Sequence, residues 1–214
     1  MIRYFLTAVV GFFYLLCHGQ DVAVPPGYKV LDEKVGDLNK DSVAEKVIVF
    51  DTNDSTETGT VREIYIYKKD GAKWKVLASS RNAIGKSEEG GMMGEPFEGI
   101  EIANGILLIY HSGGSSWKWS ITDKYRFQNG KFELIGYKNF YGKPCEYFLS
   151  LDFNVQTGKI IYKKEYEDCE KGDPIINKKE TETFYKKGLK IDLTNRKLIE
   201  VEIITPKYKE KIYL

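Results

Sequence analysis

The chain reads as an all-β protein built from antiparallel hairpins that form a sandwich or an open barrel. Three observations lead there. Apolar and polar residues alternate with period two over several runs, and no long segment shows the 3.6-residue period of a helix. Turn dipeptides such as Asp70 with Gly71, Asn104 with Gly105 and Asn129 with Gly130 separate the runs. Tyr and Phe, which suit a pleated surface, number 15 and 11.

The first segment is an address rather than part of the fold. Arg3 supplies a positive charge, residues 4–16 form a largely apolar run, and Cys17, His18 and Gly19 close it with a small residue before Gln20. This is the order of a secretory signal, with cleavage expected after Gly19. The run is shorter than the roughly 20 residues a membrane span needs, so no transmembrane anchor is expected after removal. Lipid attachment at Cys17 is the alternative, disfavoured by the bulk of Leu16. Residues 20–214 are then read as a single all-β domain in a secreted or periplasmic protein. Losing residues 1–19 removes Arg3 and no acid, which leaves 31 basic side chains against 31 acidic ones. Such balance argues against a nucleic-acid partner, because phosphate backbones demand a basic excess.

Strands follow in order. Residues 47–50 form an apolar strand. Residues 61–68 and 73–79 flank Asp70 and Gly71; a strict two-residue turn there would oppose Lys68 and Lys73, so a longer or bulged turn is expected. Residues 100–103 and 106–110 flank Asn104 and Gly105, and the second, apolar throughout, reads as a central strand covered on both faces. Trp117, Trp119, Ile121, Tyr125 and Phe127 then alternate with polar residues, broken only by Asp123. A two-residue turn at Asn129 and Gly130 pairs Phe127 with Phe132, Arg126 with Glu133 and Tyr125 with Leu134. Weaker strands are expected over 181–186, 189–193 and 197–204.

Two cysteines survive cleavage, Cys145 and Cys169, and an exported chain pairs them. Strands over 147–154 and 159–166, with Asn154 facing Lys159, place Cys145 opposite Asp168, beside Cys169. The disulfide would clamp the open end of that hairpin, worth about 3 kcal/mol in the chain-entropy picture.

One stretch carries chemistry. Asp37, Asn39, Asp41 and Glu45 present oxygens at alternating and then wider spacing, as a loop for a hard divalent cation would. Together with the strand over 47–50, Ile64 to Tyr67, the turn at Asp70 and Gly71, and Trp74 to Leu77, it resembles the calcium loop and blade of FG-GAP or VCBS repeats, the units of integrin-α-like β-propellers. The resemblance covers about residues 36–78. It implies a structural Ca²⁺ held by Asp37, Asn39, Asp41 and Glu45 with the Val43 carbonyl, in one propeller-blade-like unit. Ser42 stands where the family has glycine. About twelve strands allow three blades, fewer than the roughly four of a complete propeller. Without metal, the same residues would make Asx-turns that shape the strand entrance.

The function expected is that of a non-enzymatic binding or structural module for a protein or glycan. A possible ligand surface is Met92 and Met93 in the glycine-containing loop 87–96, with Trp117 and Trp119 beyond Gly113 and Gly114. The two tryptophans also fit the apolar face of their strand as core. The alternative is an envelope-associated hydrolase of glycans or peptides with unmarked catalytic carboxylates. His111 is the one histidine after residue 19, and no Gly-x-Ser-x-Gly pattern accompanies it.

Overall fold

The computed structural model describes residues 22–170, 172–198 and 200–214. The expected signal and Cys17 lie outside them. The fold is all-β, with antiparallel sheets of four, seven and two strands, none closed into a barrel.

The first sheet is a meander of β1 (Lys29–Gly36), β2 (Glu45–Thr56), β3 (Gly59–Asp70) and β4 (Lys73–Ser80). The turn between β3 and β4 has two residues, Gly71 and Ala72, so it is not the longer turn expected. It is shifted by one position, with Asp70 facing Lys73 and Lys68 facing Lys75. Lys75 pairs with the Asp70 carboxylate, which offsets the like charge opposite it. The bulge comes further on, between Ile66 and Tyr67.

The second sheet is a continuous meander of β5 (Phe97–Ala103), β6 (Ile106–Gly114), β7 (Lys118–Gln128), β8 (Lys131–Lys143), β9 (Tyr147–Asn154), β10 (Lys159–Asp168) and β11 (Ile175–Tyr185). Its turns follow the sequence closely. Asn104 and Gly105 have φ of 54° and 73°, and Asn129 and Gly130 have 53° and 74°, the doubly left-handed turn that Asn-Gly supplies at low steric cost. Phe127 faces Phe132, Arg126 faces Glu133 and Tyr125 faces Leu134, as expected. β6 differs from expectation. Leu107, Ile109 and His111 are buried, but Ile106, Leu108 and Tyr110 are half-buried, so only one of its faces is fully covered.

Asn154 pairs with Lys159 and Tyr147 with Tyr166, so the open end of the β9–β10 hairpin brings Cys145 to Cys169. The two form a disulfide with Cα atoms 5.3 Å apart. The first sheet is a single four-stranded meander, and the seven-stranded sheet is undivided.

The sheets share one core. Val47, Val49, Ile64 and Ile66 from the first sheet join Leu107, Ile109, Tyr125 and Phe153 from the second. Their edges also meet: the Asp32 carboxylate on β1 accepts the Ile100 N–H of β5 at 2.9 Å.

The C-terminal segment departs most from expectation. Residues 189–193 form no strand and meet β8 at one bridge, between Glu133 and Asp192, with Leu134 N–H on the Ile191 carbonyl, Leu193 N–H on the Phe132 carbonyl and Lys131 paired with Asp192. Of residues 197–204, only β12 (Glu202–Ile204) is a strand, and it pairs with β13 (Lys211–Tyr213). Between these lies Arg196, whose function explains Asp123. Both side chains are buried, at 1% and 0% exposure, and Arg196 Nε and Nη2 donate to the two Asp123 oxygens at 2.8 and 3.3 Å. Tyr125 donates its hydroxyl to the same carboxylate, and Arg196 Nη1 donates to the Lys197 carbonyl.

Removing one partner of such a pair strands a buried charge. Arg196→Met is expected to destabilise the fold by about 3–5 kcal/mol in urea titrations. The double variant Asp123→Leu, Arg196→Met is expected to cost less than that single change, because no unpaired ion remains.

Candidate ligand cleft and the 37–45 loop

The 37–45 loop joins β1 to β2 and is organised by its own polar side chains. Asp37 accepts the N–H groups of Lys40 and Ser42, Asn39 Oδ1 accepts that of Asp41, and Asp41 accepts that of Val43. Glu45, buried at 1% exposure, accepts the N–H groups of Leu38 and Asn39. The Asn39 amide donates to Asp41 and to Glu45, both at 2.9 Å. These bonds form a series of Asx-turns. Ser42, in place of the expected glycine, has φ of 69°, a left-handed conformation that glycine adopts more readily.

Of the five expected ligands, the loop gathers Asn39, Asp41 and Glu45 side by side. Asp37 is turned to backbone amides, and Val43 lends its N–H to the network. Among the described residues no group of three or more His, Cys, Asp or Glu side chains is close enough to hold a metal. The donors are nonetheless oxygen-rich, and burial, followed by the nearby charges of Asp41 and Asp37, raises the Glu45 carboxyl above its ordinary range. The loop also anchors packing. Leu38 is buried in the shared core, and Gly36 and Gly105 allow close approach to Ile102 and to Lys40.

A cleft of about 680 Å³ lies above the seven-stranded sheet. Its floor is Trp119 and Ile121 of β7, Asn139 and Tyr141 of β8, and Tyr147 and Leu149 of β9. Alternation puts these residues on one face, and the β7–β8 and β8–β9 registers align them. Gly85, Glu89 and Pro96 form one wall, while Leu198 and the β13 side, from Glu210 to Tyr213, form the other.

Each wall is tied down. The 85–96 segment is fastened to β6: Ser112 N–H donates to the Pro96 carbonyl and Gly114 N–H to that of Gly90. Gly90 N–H closes the loop on the Gly94 carbonyl. On the opposite side, Lys164 donates to both Glu210 oxygens at 3.1 and 3.2 Å, and the Tyr137 hydroxyl donates to the Tyr213 carbonyl.

The expected ligand-surface residues separate. Trp119 lines the cleft and lies against Gly113, where a Cβ would stand 2.6 Å from the indole. Trp117 sits beside the cleft, stacked on Tyr141 at 5.2 Å and tilted against Tyr147 at 4.9 Å. Met92 and Met93 are exposed on the loop, away from the lining. Sequence reasoning missed Asn139, Tyr141 and Tyr147, although their shared alternation across a tight β8–β9 hairpin was the available signal.

His111 lies beneath the 85–96 wall, not in the cleft. Its Nε2 accepts the Gly85 N–H, and Ser112 donates to Glu98 instead of to the imidazole. A serine–histidine arrangement is therefore not assembled at Ser112. Burial pushes His111 down from 6.5 to about 4, against the pull of Asp123. The unfolded chain takes up this proton first as pH falls. The stabilising contribution is thus complete above pH 6.5 and is lost between about 6.5 and 4, amounting to about 3 kcal/mol. His111→Gln, which keeps an acceptor for Gly85, is expected to flatten the stability profile over that interval, measured by urea titration across pH.

Among the described residues no helix is long and apolar enough to cross a membrane. Comparison of the chain with protein-family models and with curated proteins finds no match.

Proposed function

We propose that the protein is a secreted, non-enzymatic binding module whose ligand occupies the aromatic cleft, with the 37–45 loop as a structural calcium clamp. The observation that carries the reading is the cleft itself: a mostly apolar, open site of pocket size held between two fastened walls. The disulfide between Cys145 and Cys169 accords with export to an oxidising compartment. A hydrolase would draw on the two wall carboxylates, Glu89 and Glu210, but Glu210 has both oxygens committed to Lys164.

Calcium would act on the loop through charge. Glu45 is held among Asp37 and Asp41, and none of the ion pairs among the described residues engages these three carboxylates. A raised carboxyl stabilises the fold below its ordinary value of 4.5 and ceases to do so as pH rises through the folded value. A divalent cation would offset that loss at neutral pH. It would take the oxygens of Asp41 and Glu45, with rotation of the Asn39 amide presenting its oxygen instead of its nitrogen.

Two measurements test this reading. The neutral dye N-phenyl-1-naphthylamine is expected to gain fluorescence on binding the chain from residue 20, and Asn139→Trp, which fills the floor, to abolish that gain. Equal dye binding by wild type and variant would remove the cleft from the reading. A calorimetric Ca²⁺ titration is expected to show one site with Kd below about 1 mM, lost in Asp41→Ala, with a thermal midpoint that rises on loading. Heats equal to dilution over that range would remove calcium and leave the cleft.

A further inference from the structure

Resting on the cleft reading above, we infer that the ligand is an uncharged oligosaccharide whose rings stack on Trp119, Tyr141 and Tyr147. Three features of the site lead to this class.

The first is the charge state of the walls. Each ionised wall residue already has a counter-charge: Glu89 has Lys86 at 3.6 Å, Glu210 has Lys164 at 3.1 Å and Lys211 has Glu202 at 3.1 Å. An anionic or cationic ligand would have to break one of these pairs to gain another. A neutral ligand keeps them all.

The second is the mixed character of the floor. Trp119 lies against the side-chain-free backbone of Gly113 and lines the cleft. Tyr141 is backed by the stacked ring of Trp117, with 10° between their planes, and Tyr147, whose ring carries the Lys164 ammonium 4.0 Å from its centroid, borders this surface. Among the described residues, no hydrogen bond engages the Tyr141 hydroxyl, the Tyr147 hydroxyl or the Trp119 N–H. An alkyl chain laid over this floor would strip water from three polar tips and return nothing to them. The apolar C–H faces of a pyranose cover the rings while its hydroxyls reach those tips.

The third excludes an extended peptide. The floor is built from β7, β8 and β9, all interior strands whose backbone groups are engaged by neighbours on both sides. A peptide here would find no free strand edge for the main-chain bonds that usually hold it.

Neutral hexasaccharides of β-1,4-glucose, β-1,3-glucose, α-1,4-glucose, β-1,4-N-acetylglucosamine, β-1,4-mannose and β-1,4-xylose are to be titrated against the chain from residue 20, read by tryptophan fluorescence and calorimetry. At least one is expected to bind with a Kd between about 1 µM and 1 mM, and Trp119→Ala and Tyr147→Ala to weaken it at least about tenfold. Trp119→Phe keeps an aromatic ring at the position but shortens it and removes the indole N–H. It is expected to fall between wild type and Trp119→Ala, which separates loss of stacking from loss of fold. If no hexasaccharide binds at about 10 mM while the naphthylamine dye still enters the cleft, the ligand class is wrong and the cleft reading stands. If the dye also fails, the cleft reading falls with it. Sugar binding unchanged in both alanine variants would place the sugar elsewhere and overturn the assignment.

Discussion

The buried pair of Asp123 and Arg196 is the interaction on which the rest of the molecule depends. Two fully desolvated charges are stable together only while each keeps its partner, so the pair fixes where residue 196 can lie relative to β7. From that point the remaining chain has little freedom. Asp192 caps the preceding turn by accepting the N–H groups of Thr194 and Asn195, and Arg196 also holds the Lys197 carbonyl. The β12–β13 hairpin follows, and its buried Ile203, Ile212 and Leu214 join the common core. The second wall of the cleft is therefore placed by a salt bridge inside the protein rather than by a loop at its surface.

That dependence explains what could be read from the sequence and what could not. Hairpins were legible because their determinants are adjacent. Asn129 and Gly130 fix a turn, the turn fixes a register, and the register puts Phe127 against Phe132. The disulfide was legible for the same reason, since the register of β9 and β10 brings its ends together. Asp123 was visible only as an interruption of an apolar series, because its partner lies 73 residues away. Likewise, the alternation of residues 189–193 is real, but those residues meet β8 at a single bridge and do not extend it as a strand. β1 escaped notice because its side chains are mostly exposed and leave no clear apolar alternation.

The candidate site was half legible for a related reason. Composition singled out the 37–45 loop and the tryptophans, the residues whose chemistry is conspicuous in one dimension. The cleft depends on three strands being in register, which places Tyr141 and Tyr147 beside Trp119. It depends also on two walls from segments about 100 residues apart, a separation that no local pattern encodes. The loop contributes no residue to the lining of the cleft. The loop buries Leu38 and Glu45 where β1 turns into β2, and it adjoins the β5–β6 turn at Gly105. Its position makes it a fastening between the two sheets.

An open apolar floor in water has to be kept open. Further burial of the half-buried Trp119, Tyr141 and Tyr147 would be favoured by about 25 cal/mol for each apolar Å² covered, so unfastened walls would tend to collapse onto them. In this molecule both walls are held by directional bonds that collapse would break. The 85–96 wall is bonded through backbone groups to β6, with the Gly85 N–H seated on His111. The facing wall is bound by Lys164 to Glu210, by the Tyr137 hydroxyl to the Tyr213 carbonyl, and behind these by Arg196 to Asp123. Breaking any of them would leave a buried polar group without a partner, a cost comparable to the apolar gain. The cleft is therefore a preformed cavity, and a ligand that enters it covers the apolar floor without first having to separate the walls.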